Sequence, residues 1–219
     1  MMIGFVLVTT LFGIVFTMYT QGNKTSAKAA WRIQTSAKLR EGLRVIKSLL
    51  EKSSYPTVIQ SSDYVEADHS LYWLVLGSSG TVGAAGATGL TDHTFAAAGE
   101  VMRFHTCIPR RELGPTIQNG TAFRQVFVLV AGTSRIGNLN LLLREENADV
   151  TLSGTAVQVG GFTGLKEKLL VPDVENLVIS TATTTEKSVL QVAVTCRDPF
   201  DGMMRLTDVA KAQVNVEIH

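Results

Sequence analysis

The chain has 219 residues, a formal net charge of +1, 18% charged residues and 45% hydrophobic residues. That length holds one well-cored domain, and that composition excludes a disordered chain and gives no overall signature of polyanion binding. The near-neutral balance hides an asymmetry: between positions 24 and 52, Lys24, Lys28, Arg32, Lys38, Arg40, Arg44, Lys47 and Lys52 stand against Glu41 and Glu51 alone, so the remainder is net acidic.

Taken in chain order, residues 1–19 (MMIGFVLVTTLFGIVFTMY) carry no charge, and the first charge is Lys24. About twenty helical residues, rising ~1.5 Å each, cross a hydrocarbon core about 30 Å thick, so this stretch is expected to span a membrane as a helix. A secretory signal would show a basic start, a shorter apolar run and a small-x-small cleavage site, none of which is clear here. The apolar residues occupy all sides, which suits lipid or the centre of a helical bundle. Residues 24–53 then turn to Ala, Lys, Arg, Leu and Glu, strong helix formers, with no proline before Pro56. Leu39, Leu43, Ile46 and Leu50 recur at steps of four, three and four and fall on one face, so this half is amphipathic. One helix is expected from near Met1 to about Ser53, with Gly22 and Gly42 as weak points and SSYP at 53–56 as its end.

Beyond Pro56 the pattern changes to β-rich runs. LYWLVL at 71–76, VMRFHTCI at 101–108, AFRQVFVLVA at 122–131, LNLLLRE at 139–145, LVIST at 177–181, VLQVAVTCR at 189–197 and AQVNVEI at 212–218 predict strands. GTSRIGN at 132–138 reads as a hairpin loop and TATTTEK at 181–187 as a polar connection, so antiparallel meanders follow. Residues 172–176 predict a short turn, and residues 206–210 a turn or short helical piece. The Gly/Ala-rich stretch at 77–99 predicts a long loop, because the GK[ST] end or glycine spacing of a phosphate cradle is absent. The fold class is therefore α+β: a long N-terminal helix, membrane-inserted in its first half and amphipathic in its second, packed on an antiparallel β domain. The helical stem covers 1–53, of which 1–23 is the transmembrane or filament-core part, and the globular β domain covers 54–219.

Chemistry is sparse. Cys107 and Cys196 show no CxxC spacing and no histidine at metal spacing; a disulfide between them and two buried free thiols both fit the sequence. Asp63, Glu66, Asp68 and His69 form an acidic cluster that matches no EF-hand or zinc pattern and reads as solvated. His93, His105 and His219 have no relay neighbours, and neither GxSxG nor HExxH occurs. No catalytic residue, metal or cofactor is expected. The basic helix lacks a second basic element with interleaved aromatics, so nucleic acid is not expected; attraction to anionic head groups or acidic neighbours is the simpler role. The sequons at Asn23 and Asn119 are of a kind common by chance.

An uncharged opening helix, continued into an amphipathic half and followed by antiparallel strands, resembles the type IV pilin superfamily, and within it a minor pilin or the J-type minor pseudopilin of type II secretion. The likeness is sharpest in GFVLVTTLFGIVFTMY at 4–19, SAKLREGLRVIKSLLEKS at 36–53, LNLLLRE at 139–145 and LLVPDVENLVIS at 169–180. It implies processing and methylation by a prepilin peptidase, with Gly4 and Phe5 as the candidate junction. It implies assembly through Phe5, Leu7, Phe12, Ile14 and Phe16, and stem-to-domain packing through Leu39, Leu43, Ile46 and Leu50. Implied partners are other pilin-like subunits, inner-membrane assembly machinery and the lipid bilayer. The implied location is the bacterial inner membrane, single-pass with a periplasmic β domain, or an extracytoplasmic filament. Family members carry Glu at the fifth mature position; here it would be Thr9 after a cut at Gly4, or Phe5 if Met1 is the mature end. That departure suggests a minor or tip position. Lys24, Lys28 and Arg32 beyond the span would favour a cytoplasmic β domain, a conflict relieved if the chain has already lost a basic leader. The alternative is a single-pass anchored β domain that binds a partner or ligand without polymerising. An enzyme with a site around Asp63 to His69 ranks last.

Overall fold

The structure is a computed structural model that describes residues 2–53, 65–66, 74–82, 91–110, 119–133, 136–153, 156–183, 188–200 and 202–214. One helix, α1 (Met2–Glu51), opens the chain. Among the described residues eleven strands follow: β1 (Val65–Glu66), β2 (Val75–Leu76), β3 (Thr81–Val82), β4 (Thr91–Phe95), β5 (Gly99–Arg110), β6 (Asn119–Ala131), β7 (Leu139–Ser153), β8 (Ala156–Val159), β9 (Thr163–Thr183), β10 (Ser188–Arg197) and β11 (Arg205–Val214). The main path across the sheet is β11-β10-β9-β7-β6-β5-β2, antiparallel throughout, with β4 and β8 joining β9 and β7 beside it.

The expected fold class needs correction. Strand accounts for 56% of the described residues and curves into an antiparallel half-barrel around a single helix, so among these residues this is a β architecture with one helix rather than a balanced α+β fold. The expected membrane span is not found either: among the described residues no helix is long and apolar enough to cross a membrane. The uncharged run at 1–23 includes the polar residues Thr9, Thr10, Thr17, Thr20, Gln21 and Asn23. A span needs about twenty predominantly apolar residues.

The second half of α1 fills the concave side of the sheet. Leu39, Leu43, Ile46 and Leu50 are buried in one cluster with Leu170, Val171, Leu190, Val192, Val194, Ala212 and Val214. The expected four-three-four spacing thus places all four side chains in the core. At Gly42 the helix touches β9 so closely that a Cβ would lie 2.5 Å from Val171 Cγ2 and 3.2 Å from the Leu170 carbonyl oxygen. Its glycine is there for close packing rather than as a weak point. The helix ends in a tight turn, with Lys52 and Ser53 N–H donating to the Leu49 and Leu50 carbonyls. The Ser53 hydroxyl adds a bond to the Leu50 carbonyl at 2.6 Å.

Strands at 101–108, 122–131, 139–145, 177–181 and 189–197 lie inside β5, β6, β7, β9 and β10. Three expectations differ from what forms. Residues 172–176 are part of β9, because register shifts opposite Leu139 to Leu142 absorb Pro172 as a bulge, sparing it a ladder bond that it cannot donate. Residues 206–210 are part of strand β11, whose alternate residues face inward, with alanine at two of the five inner positions and aspartate at a third; small and polar side chains weakened the period-two signal. The stretch at 77–99 contains β3 and β4, and β4 pairs with β9 from Thr91↔Thr181 to Phe95↔Leu177. Of the strand expected at 71–76, Leu74 forms an isolated bridge and Val75–Leu76 form β2, while residues 71–73 lie outside the described residues.

The possible disulfide does not form: both cysteines are free. Cys107 pairs with Ala122, which pairs with Ala148. Cys196 pairs with Val174, which pairs with Leu139. The two cysteines are therefore four strands apart, about 19 Å at ~4.8 Å per strand, and offset by about 30 Å along β7 at ~3.3 Å per residue. A bridge needs Cα atoms within about 7 Å.

Candidate assembly surface

The helix changes character at Trp31. C-terminal to it, α1 lies on the sheet; N-terminal to it, the described side chains stand almost entirely in solvent. Trp31 is buried, and its indole Nε1 donates to Asp173 Oδ2 at 3.0 Å. Asp173 sits in the β9 bulge with φ 56°, a left-handed conformation that Asp and Asn tolerate better than most residues. Thr35, one turn further along, is buried as well. Trp31, Thr35, Leu39 and Leu43 are spaced by four, so the packed face extends two turns before the first leucine. The sequence carried that signal, but a search for aliphatic residues alone passes over it.

On the free half of the stem, Leu11, Phe12, Ile14, Val15, Phe16, Met18 and Tyr19 are all exposed, Phe12 and Phe16 by 70% and 69%. At about 100° per residue these seven side chains cover an arc of about 200°. The opposite strip holds Gly13, Thr17 and Thr20, where the Thr17 hydroxyl donates to the Gly13 carbonyl at 2.7 Å and the Thr20 hydroxyl to the Thr17 carbonyl at 3.0 Å. Their hydroxyls are already bonded to the helix's own backbone, so packing this strip against an apolar neighbour strands no donor. A wide apolar arc and a narrow strip of small residues together form a surface that can meet more than one helix.

Of the residues assigned to assembly by the resemblance, Phe12, Ile14 and Phe16 are thus brought together on an exposed rod. Gly4, Phe5 and Leu7 lie on α1, but their side chains fall outside the described residues. At the base of the rod come Lys24, Lys28 and Arg32, while further along Lys38 and Lys47 pair with Glu41 and Glu51 at 3.3 and 3.7 Å.

The rim of the sheet near Trp31 has its own polar order. Arg205 Nε and Nη2 grip the Glu175 carboxylate at 2.5 and 2.8 Å, and Arg197 stands 3.7 Å from the same carboxylate. The hydrogen bond from Arg205 outweighs the opposing desolvation and, with both guanidinium charges, holds the Glu175 carboxyl below its ordinary value. Asn138, from the β6–β7 connection, donates to the Arg197 carbonyl at 2.7 Å and ties that loop to the end of β10.

Among the described residues no group of His, Cys, Asp and Glu could hold a metal ion. Asp63, Asp68, His69 and His219 lie outside the described residues, and Glu66 is described only as backbone of β1. His93 lies on β4, and the buried His105 on β5 stacks 5.4 Å from the Phe162 ring. Arg124 lies over the same ring at 4.4 Å and donates to Glu146 across the β6–β7 ladder. Burial pushes the Cys107 thiol up to about 11 and, with the Asp173 charge adding to it, the Cys196 thiol up to about 12, so neither supplies a nucleophilic thiolate at neutral pH.

No protein-family model, no curated protein and no solved structure matches the chain.

Proposed function

We propose that this chain is a non-enzymatic, pilin-like structural subunit, a minor pilin or pseudopilin, that assembles through its N-terminal helix into a filament of the type IV pilus or type II secretion pseudopilus kind. The observation that supports this reading is the division of α1: one half is buried in its own domain, and the other presents Leu11, Phe12, Ile14, Val15, Phe16, Met18 and Tyr19 to solvent. An apolar surface of that extent is costly in water and marks a site of association. Its width favours a bundle of several stems over a single pair.

The trial is cross-linking in intact cells through cysteine placed at Phe12 or Phe16. Ladders in which this chain is joined to other pilin-like chains or to itself through the stem are expected. Monomers at every stem position would sink the filament reading.

A further inference from the structure

Strand β9 is longer than the partners on either side of it. Leu139 of β7 and Cys196 of β10 both pair with Val174, so β7 and β10 flank β9 on opposite sides. From there β10 continues only toward Thr183, and β4 takes the place of β7 along residues 177–181. Along the other half of β9, β7 covers one side and no described strand covers the other. α1 meets this half at Leu170 and Val171, where Gly42 packs. Each of residues 163–169 before that contact is exposed. Gly164, at φ 71°, breaks the regular pleat. Residues 165–169 therefore form an open edge about 16 Å long at ~3.3 Å per residue, with room for one added strand. Such an edge carries a row of unpaired N–H and C=O groups.

Side chains along the edge select what can add to it. Lys168 is in register with the buried Leu143 and Lys166 with Glu145, so both lysines lie on the face that continues the core side. Neither forms an ion pair with a described residue: Glu145 instead accepts from Gln125 Nε2 at 2.7 Å. On the opposite face Leu165 and Leu169 are exposed by 56% and 52%, and Glu167 between them is already paired with Arg144 Nε at 2.6 Å. A second copy fits badly. Antiparallel pairing of two copies centred on residue 166, 167 or 168 sets lysine opposite lysine, and like charges directly opposite destabilise a ladder. The edge therefore resists its own copies, whereas carboxylates across from Lys166 and Lys168 complement it.

We infer that residues 165–169 are a docking edge for an extended segment of a different chain, added to the sheet as a strand, with acidic residues opposite Lys166 and Lys168 and apolar residues opposite Leu165 and Leu169. In this mode main-chain bonds supply the affinity and the alternate side chains the specificity. The edge is separate from the exposed stem, so it is read whether or not the stem assembles. A contact that ends at one added strand agrees with the minor-subunit reading.

The test titrates full-length chain into two fluorescein-labelled peptides, TVETEVT and TVKTKVT, and follows anisotropy. The sequences are palindromic, so either strand direction presents the same side chains. Saturable binding of the acidic peptide is expected, about tenfold or more tighter than that of the lysine peptide. Lys166→Glu with Lys168→Glu should reverse the preference while leaving thermal melting unchanged, which separates this edge from the basic residues of α1. A third arm N-methylates the acidic peptide at one alternate set of amides or the other. One set should abolish binding and the other leave it intact, because only every second amide of an added strand faces β9. No binding, equal affinity for the two peptides or an unreversed preference overturns the inference. Binding that survives both methylated sets overturns it as well, since the contact is then charge attraction without an added strand.

Discussion

The two halves of α1 belong to one unbroken helix and differ in what their apolar side chains touch. Leu39, Leu43, Ile46 and Leu50 are buried in the core of their own domain, whereas Leu11, Phe12, Phe16 and Tyr19 stand in solvent. A leucine in the back half is part of folding; a phenylalanine in the front half is available for association. Their difference teaches that hydrophobicity along a helix does not by itself say which process it serves.

The strongest way to break the comparison is to cut into each half and follow folding in denaturant. Leu50→Ala or Ile46→Ala should destabilise the β domain by about 2–5 kcal/mol, because a buried side chain is lost and a cavity left. Gly42→Ala comes next. A Cβ there overpacks against Val171 and the Leu170 carbonyl at a cost of about 1–3 kcal/mol, while alanine returns about 1 kcal/mol of helix propensity. A net loss of up to about 2 kcal/mol is expected; a gain would show that the helix can lift off β9.

The boundary between the halves is tested at Trp31. Trp31→Phe keeps the ring in its pocket and removes the bond to Asp173, which should cost about 1–2 kcal/mol. It should also widen the distance distribution between spin labels on the stem and on β11. By contrast, Phe16→Ala should stay within about 0.5 kcal/mol of the parent in the monomer, and a larger loss would mean that the front half also serves the fold.

The smallest effect lies at the sheet rim. The Glu175 carboxyl is held below its ordinary value of 4.5, chiefly by the Arg205 hydrogen bond. Its contribution to stability is thus fully present above that value and is lost as pH falls through the depressed one. Glu175→Gln should lower stability slightly at neutral pH and flatten the acid limb, the difference from the parent vanishing as pH falls through the depressed value. The pair is partly exposed and screened by solvent, so the change is expected to be slight.

Much of the fold was legible before any coordinates. Helix chemistry placed α1 to within two residues of its end, and period-two runs located five of the long strands, because one face of each element meets the core. Where the signal came from alanine, as in β11, or was interrupted by proline, as in β9, reading stopped at a turn. A bulge is a property of the partner strand's register and leaves no local mark. The exposed stem face was half legible: Phe12, Ile14 and Phe16 were named, but the contact of Trp31 with Asp173 that ends burial was not. Asp173 and Trp31 are 142 residues apart in sequence, and their pairing depends on how β9 crosses α1.

The sequence by itself determined a long N-terminal helix with an amphipathic back half and antiparallel strands after it, since both follow from local propensity and side-chain period. Only the tertiary structure decided that the strands dominate and close around the helix as a half-barrel. It also kept Cys107 and Cys196 apart and ended burial at Trp31. The physical reason is the same in each case: strand order and register are set by long-range pairing, and which apolar surfaces remain in water is known only after that pairing has used the others.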